Sequence, residues 1–155
     1  MWYNVRMKNF HTSSSSNETM KFAETLAKKL SKPEIILLSG DLGAGKTTFA
    51  KGLAKGLGIK NNITSPTFTI LNEYTEGKLP LYHFDMYRLT SAEDAYALGF
   101  ETYFNQKNLP GIVIVEWAEN VDGLIKKPYL KINFIKEDEN NRKIVIEEIK
   151  WIYYV

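Results

Sequence analysis

Short apolar runs alternate with amphipathic stretches along this chain. Two of the runs, residues 34–38 and 111–115, are almost entirely apolar, as strands buried on both faces of a parallel sheet are. Apolar residues at helical spacing predict one helix over residues 15–30, which begins with a capping box of Ser15 and Glu18, and a second helix over residues 47–57. This alternation of strand and helix patterns predicts an α/β protein.

Three weaker patterns lie between the second helix and the run at residues 111–115. Residues 69–74 and 81–84 are rich in strand-forming residues and predict two strands, the second of which ends at Asp85. Residues 91–99 predict a short helix, because a serine stands at its start and a glycine closes it.

The two ends of the chain have a different pattern from its centre. Residues 2–10 predict an edge strand, and the serine-rich residues 12–16 predict a loop that caps the first helix. Residues 129–135 and 143–155 flank a polar turn and predict a hairpin or edge strands. The aromatic residues 151–155 fit a core, an edge strand or an interface. We therefore expect a central, mostly parallel sheet with antiparallel C-terminal strands.

Composition narrows the class of protein. The 155 residues are 44% apolar and 25% charged, which predicts a single globular domain over residues 1–155. The net charge of +2 is too small for a protein that grips nucleic acid alone, and the absence of cysteine excludes disulfides and thiolate sites. Neither a membrane-spanning run nor a signal-peptide core is visible, so we expect a cytoplasmic protein with no membrane association.

The most informative motif follows the apolar run at residues 34–38. From Gly40 to Thr47 the sequence reads GDLGAGKT, which fits the phosphate-binding P-loop pattern G-x-x-x-x-G-K-[ST]. Its glycines let backbone amides point inward at an anion, Lys46 can reach the outer phosphates, and the Thr47 hydroxyl can ligate Mg²⁺. A strand before the loop and a helix after it predict a P-loop NTPase-like three-layer fold.

Asp41 is unusual inside an anion-binding loop, because its charge would repel phosphate. We therefore expect its side chain to point away from the phosphates. The candidate nucleotide-binding residues are Asp41, Leu42, Gly43, Ala44, Gly45, Lys46, Thr47 and Thr48.

Two acidic residues stand where strands of the predicted sheet end. Glu116 follows the apolar run at 111–115, and Asp85 follows a more mixed strand. In P-loop proteins such a carboxylate holds Mg²⁺, directly or through water, or orients the attacking water; either residue can instead cap a turn or form a surface ion pair. His83 shares a strand face with Asp85, and it fits a histidine packed under the site better than one that orients Asp85 or the metal.

Three further residues are weaker candidates. Thr67, in a Ser-Pro-Thr loop, either belongs to a switch that senses the γ-phosphate or simply follows a proline turn. Arg88 is expected to pair with a carboxylate rather than stabilise a transferring phosphate. Trp117 is expected in the core rather than beside a nucleotide.

Three other functions fit a P-loop and stay open. A nucleotide or small-molecule kinase needs an arginine-rich lid, but the chain has only Arg6, Arg88 and Arg142. A GTPase usually carries an Asn-Lys-x-Asp run, which is absent. A binding module would use the nucleotide only as a structural ligand.

Five segments together resemble the TsaE family, also called YjeE, of small bacterial ATPases in tRNA threonylcarbamoyladenosine formation. They follow the family's order and spacing. They are residues 39–48 (SGDLGAGKTT), 64–68 (TSPTF), 82–89 (YHFDMYRL), 98–100 (LGF) and 115–117 (VEW).

The resemblance implies a protein that binds ATP with Mg²⁺, hydrolyses it slowly and docks onto TsaD and TsaB. Those partners transfer threonylcarbamoyl to adenosine 37 of tRNA, and this chain would meet the tRNA only through the complex. The resemblance also implies that residues 43–48 cradle the phosphates, that Glu116 and Thr47 bind the metal and that Thr67 belongs to a switch-like loop. Asp85 would lie near the site, as base or as outer metal ligand. The candidate catalytic residues are Lys46, Asp85, Glu116 and Thr67.

Overall fold

A computed structural model describes the backbone of residues 2–152 and the side chains of residues 8–150. These described residues form one seven-stranded sheet with helices on both faces. The strands are β1 (Trp2–Ser13), β2 (Ile35–Gly40), β3 (Leu71–Tyr74), β4 (Leu81–Asp85), β5 (Ile112–Glu116), β6 (Tyr129–Lys136) and β7 (Arg142–Ile152). The last three residues of the predicted C-terminal strand, 153–155, and the side chains of 151 and 152 lie outside the described part.

In the part of the chain that the structure describes, four helices and one 3₁₀ turn accompany the strands. They are α1 (Ser16–Lys29), α2 (Lys46–Gly56), α3 (Ala92–Ala97), α4 (Glu101–Asn105) and the 3₁₀ turn Ala118–Val121. The sequence patterns predicted the first three of these, but α4 and the 3₁₀ turn are too short to show a periodicity. Within residues 2–152, no helix combines the length and the apolar character that a bilayer span requires.

The sheet has the order β1-β7-β6-β2-β5-β4-β3. The four central strands β6, β2, β5 and β4 run parallel, whereas β7 pairs antiparallel with β6 and with β1, and β3 pairs antiparallel with β4. The predicted mostly parallel sheet with antiparallel C-terminal strands is therefore confirmed. Because β2 lies between β6 and β5, the loop that follows β2 emerges in the middle of the sheet.

Alternating side chains of the central strands feed two separate apolar cores. Ile36 and Leu38 of β2 face the layer formed by α1 and α2, whereas Ile35 faces the layer that contains α3, α4 and the 3₁₀ turn. All five residues of β5 are buried, because helices cover both faces of that strand. Glu116 lies at the carboxyl end of this buried strand.

The start of α1 follows the prediction with one difference. Ser15 Oγ accepts a hydrogen bond of 3.1 Å from the Glu18 amide, as an N-cap should. The Glu18 carboxylate, however, accepts from the Ser14 amide at 2.7 Å rather than from the amide of the cap residue itself. The serine-rich segment is also shorter as a loop than expected, because β1 continues to Ser13.

Candidate functional site

A cavity of about 580 Å³ opens at the carboxyl ends of β2, β4 and β5. This is the edge at which open α/β sheets bind their ligands. Most of the residues that the sequence motifs singled out meet here. The lining residues are Leu42, Gly43, Gly45, Lys46, Thr47, Thr48, Ser65, Thr67, Asp85, Tyr87, Glu116 and Trp117.

The glycine loop joins β2 to α2 and forms one wall of the cavity. At Gly40 the backbone has φ +139°, and a Cβ there would lie 2.6 Å from the Phe134 carbonyl oxygen, so only glycine fits beside β6. Asp41 is exposed and does not line the cavity, in agreement with the expectation that it points away from an anion. Leu42 is 90% exposed at the rim, and Ala44 is buried behind the loop.

Lys46 is the first residue of α2 and is only 7% exposed. Its ammonium donates to the Gly40 carbonyl oxygen at 2.5 Å and lies 4.3 Å from the centroid of the Trp117 ring. Both neighbours stabilise a cation without neutralising it, because one is a carbonyl dipole and the other an aromatic face. The charge therefore stays available to an anion in the cavity.

Trp117 lies at the boundary between core and cavity. Part of the side chain packs against the apolar core, as expected, but Tyr87 contacts its ring edge-on at 5.1 Å and Lys46 lies over it. Among the described residues, Trp117 and Ile70 are the two non-glycine residues with left-handed backbone, at φ 57° and 69°. Such conformations are strained and often accompany functional sites. Here they follow Glu116 and the Ser-Pro-Thr segment, respectively.

Glu116 ends β5 and is 3% exposed. Its Oε1 lies 2.9 Å from Nε2 of His83, a residue of β4 that is completely buried. Because a carboxylate oxygen can only accept, Nε2 carries the hydrogen of this bond. His83 thus packs beneath the site, as expected, but it orients Glu116 rather than its strand neighbour Asp85.

Asp85 ends β4 and connects three segments of the site. Its Oδ2 accepts hydrogen bonds from Ser65 at 3.1 Å and from Thr67 at 3.0 Å, while Oδ1 accepts from the Tyr87 amide at 2.9 Å. In the sheet register Asp85 is paired with Glu116 of β5. The two acids are therefore neighbours at the edge of the sheet, and the loop that contains Thr67 is hydrogen-bonded to Asp85.

The donor set of the cavity fits a hard divalent cation better than a transition metal. Thr47, Asp85 and Glu116 offer oxygen atoms, which Mg²⁺ prefers. Within the described residues, no three His, Cys, Asp or Glu side chains form a cluster that could hold an ion by themselves. Mg²⁺ typically keeps several waters and binds through one or two protein groups together with substrate phosphates. The cavity therefore suits a metal that arrives with a phosphate ligand.

Two arginines depart from the sequence-based expectations. The Arg88 guanidinium lies 4.8 Å from the Phe68 ring centroid, and no ion pair of Arg88 occurs within the part that the structure describes, so the predicted carboxylate partner is wrong. Arg142 lies in the β6–β7 hairpin and contacts the glycine loop. The sequence patterns assigned no role to this arginine. No local pattern could reveal that contact, because it joins residues 98 positions apart.

The glycine loop between β2 and α2, together with acids at the ends of β5, which is next to β2, and of β4, which is next to β5, defines a P-loop NTPase-like α/β fold. The family model for the threonylcarbamoyl adenosine biosynthesis protein TsaE matches residues 13–144. The chain therefore belongs to the TsaE family, which acts in tRNA threonylcarbamoyladenosine biosynthesis.

Named relatives agree over most of the chain. The TsaE protein of Rickettsia prowazekii is 40% identical over 144 residues, which cover 92% of this chain and 97% of the relative. The TsaE protein of Synechocystis is 52% identical over 109 residues, covering 70% of this chain and 69% of the relative. The crystal structure of YdiB from Bacillus subtilis superposes with a TM-score of 0.77 at 34% identity, covering 92% of this chain and 86% of YdiB.

Proposed function

We propose that the protein binds ATP with Mg²⁺ and hydrolyses it slowly. One observation carries the proposal: a single cavity joins the glycine loop and Lys46 on one wall to Asp85 and Glu116 on the other. The first wall suits the phosphates and the second suits a metal and a water molecule. Hydrolysis of a phosphoanhydride needs both, because catalysis of phosphoryl transfer consists mainly of positioning and charge stabilisation.

In this proposal each side chain has a specific role. Lys46 places its charge against the β- and γ-phosphates, while the amides at the start of α2 donate to phosphate oxygens. Thr47 and Glu116 would hold a magnesium ion, which would neutralise charge on the phosphates. Asp85 would act close by, either as the base for the attacking water or as an outer metal ligand. Thr67 places the switch-like loop against Asp85.

We further propose that this ATPase is an accessory subunit of TsaD and TsaB. Membership in the TsaE family supports this role, and so does the net charge of +2, which favours a tRNA held mainly by partner proteins. The chain itself would not transfer the threonylcarbamoyl group to adenosine 37. Its ATP cycle would instead support turnover of the complex.

Phosphate release from Mg·ATP tests the proposal. The wild type and Lys46→Ala are compared, each alone and with purified TsaB and TsaD. Lys51→Ala is the matched control, because Lys51 is an exposed lysine of the same helix and does not line the cavity. We expect slow release that changes when the partners are added, persists in Lys51→Ala and is lost in Lys46→Ala.

The possible results separate the parts of the proposal. Wild-type turnover in Lys46→Ala would contradict the P-loop assignment. Release that is indifferent to the partners would contradict the accessory role while leaving the ATPase standing. Transfer of phosphate to a small acceptor, without release of inorganic phosphate, would identify a kinase instead.

A further inference from the structure

Arg142 bridges the β6–β7 hairpin and the glycine loop. It is the first residue of β7, and its guanidinium donates from Nε to the Ala44 carbonyl oxygen at 3.1 Å and from Nη2 to the Gly43 carbonyl oxygen at 3.2 Å. Nη1 donates backward to the carbonyl oxygens of Asp138 at 2.9 Å and Glu139 at 3.1 Å. The planar fork of arginine thus fixes two segments at once, which a lysine ammonium does not do.

The bond to Ala44 has a consequence on the other side of the loop. In a trans peptide unit the carbonyl oxygen and the following N–H point in opposite directions. Because Ala44 directs its carbonyl at Arg142, the amide of Gly45 points away from Arg142. Gly45 lines the main cavity, and among residues 2–152 its amide has no hydrogen-bond acceptor. A backbone donor is therefore held free at the wall where the phosphates are expected.

We infer that Arg142 is a positioning residue for the anion-binding loop. Its guanidinium fixes the Gly43 and Ala44 carbonyls, and the Gly45 amide is thereby oriented toward the bound phosphates. This role rests on the proposed function, in which the loop binds a nucleotide. Arg142 itself contacts the loop from behind. Its effect is to lower the cost of organising the loop when the anion binds.

The hairpin tip is built to hold Arg142 in place. The Asp138 carboxylate accepts hydrogen bonds from the Asn140 amide at 3.0 Å, the Asn141 amide at 2.9 Å and the Asn141 side chain at 2.7 Å. These hydrogen bonds, with those from Asn141 the largest, hold the pKa of Asp138 below its usual range. The carboxylate therefore stays ionised at neutral pH and keeps the turn closed behind the guanidinium.

The test compares Arg142→Ala and Arg142→Lys with wild type in equilibrium binding of ADP and of Mg·ATP. Lys136→Ala is the matched control, because Lys136 pairs with Arg142 in the hairpin and carries the same charge but is exposed. We expect both Arg142 variants to bind the nucleotides about tenfold more weakly, because charge-assisted hydrogen bonds are lost. Lys136→Ala should bind them as the wild type does. Turnover at saturating Mg·ATP should change less than affinity.

Chemical rescue separates positioning from general stability. A second cavity of about 180 Å³ borders Arg142, so the Ala variant leaves room for a small cation. Millimolar guanidinium chloride should then restore nucleotide affinity in Arg142→Ala and have no such effect on wild type. Thermal melting of each variant verifies that it is folded. If Arg142→Ala does not fold, nucleotide binding by Arg142→Lys serves as the test.

Two results would overturn the inference. Nucleotide affinity equal to wild type in Arg142→Ala would show that the loop needs no support from the hairpin. Full affinity in Arg142→Lys with loss in Arg142→Ala would show that only the positive charge matters, and not the orientation of the carbonyls. Failure of the wild type to bind ADP or Mg·ATP would instead contradict the proposed function itself.

Discussion

His83 donates a buried hydrogen bond to Glu116 from one strand of the sheet to the next, with 2.9 Å between Nε2 and Oε1. The two side chains are 0% and 4% exposed, so water does not compete for this bond. Nδ1 of His83 is also buried and has no partner among the described residues. Nε2 is therefore the ring nitrogen through which His83 donates a hydrogen bond, and Glu116 is the acceptor. That donor fixes Oε1 and leaves the other carboxylate oxygen for the cavity.

Replacing His83 by phenylalanine tests whether this bond positions Glu116 for hydrolysis. Phenylalanine fills the buried position but removes the donor, so we expect the turnover number for Mg·ATP to fall by about tenfold or more, as is usual when a residue that orients a metal ligand, the role proposed for Glu116, is replaced. His83→Gln can still place an amide N–H near Oε1 and should retain more activity. Nucleotide affinity should change little in both. A phenylalanine variant with wild-type turnover would show that His83 only fills space.

Glu116→Gln should lower hydrolysis more than nucleotide binding. The amide keeps the shape of the side chain but removes its charge, so the cavity wall formed by the glycine loop, where we propose that the phosphates bind, stays intact. Phosphate release measures the first effect and equilibrium binding of Mg·ATP measures the second. Asp122→Asn, an exposed acid that does not line the cavity, is the matched control. If binding were abolished as well, the metal held by Glu116 would be required mainly for nucleotide binding rather than for the chemical step.

Local patterns in the sequence predicted much of the fold and one wall of the site. The apolar runs predicted β2 and β5 because a doubly buried strand needs apolar residues on both faces. The loop from Gly40 to Thr47 was recognisable because phosphate binding constrains neighbouring residues in a fixed spacing. Both signals are contained in a few consecutive residues. They need no knowledge of which strands are neighbours.

The contacts that complete the site are non-local, which explains why they were missed. His83 and Glu116 are 33 positions apart and meet only because β4 and β5 pair in one register. Arg142 and Ala44 meet because the sheet order places the β6–β7 hairpin beside β2. Strand order is set by the packing of the whole domain, so composition and periodicity did not indicate either pair.

Thr67→Val should loosen the segment around Ser65 and Thr67. Valine has nearly the same shape as threonine but loses the hydroxyl that donates to Asp85 at 3.0 Å. We expect faster amide hydrogen exchange in residues 64–69 and reduced turnover. Thr69→Val is the matched control, because Thr69 lies in the same segment and its hydroxyl donates to Asn72 instead. Unchanged exchange in Thr67→Val would show that Ser65 alone fastens the segment to Asp85.

Glu34 immediately precedes β2, and its carboxyl should make the free energy of unfolding depend on pH. Burial raises the pKa of its carboxyl, the nearby Glu148 adds to this and Lys32 opposes it. Because the pKa is higher in the folded protein than in the unfolded chain, the ionised carboxylate disfavours folding. This destabilisation is absent below the unfolded pKa, grows as the pH rises from the unfolded to the folded pKa, and is complete above the folded pKa.

Glu34→Gln should therefore raise the free energy of unfolding at pH 7 and leave it nearly unchanged below the unfolded pKa of Glu34. The gain should stay below about 1 kcal/mol, because the group is only half-buried and water screens its charge. Urea unfolding at both pH values measures it, and Glu76→Gln, in an exposed turn, controls for the loss of one negative charge. The Glu34 backbone carbonyl, which accepts from the Val113 amide at 2.9 Å, is unaffected by the substitution. Equal stabilisation by both variants at pH 7 would mean that net charge, and not burial of Glu34, sets the effect.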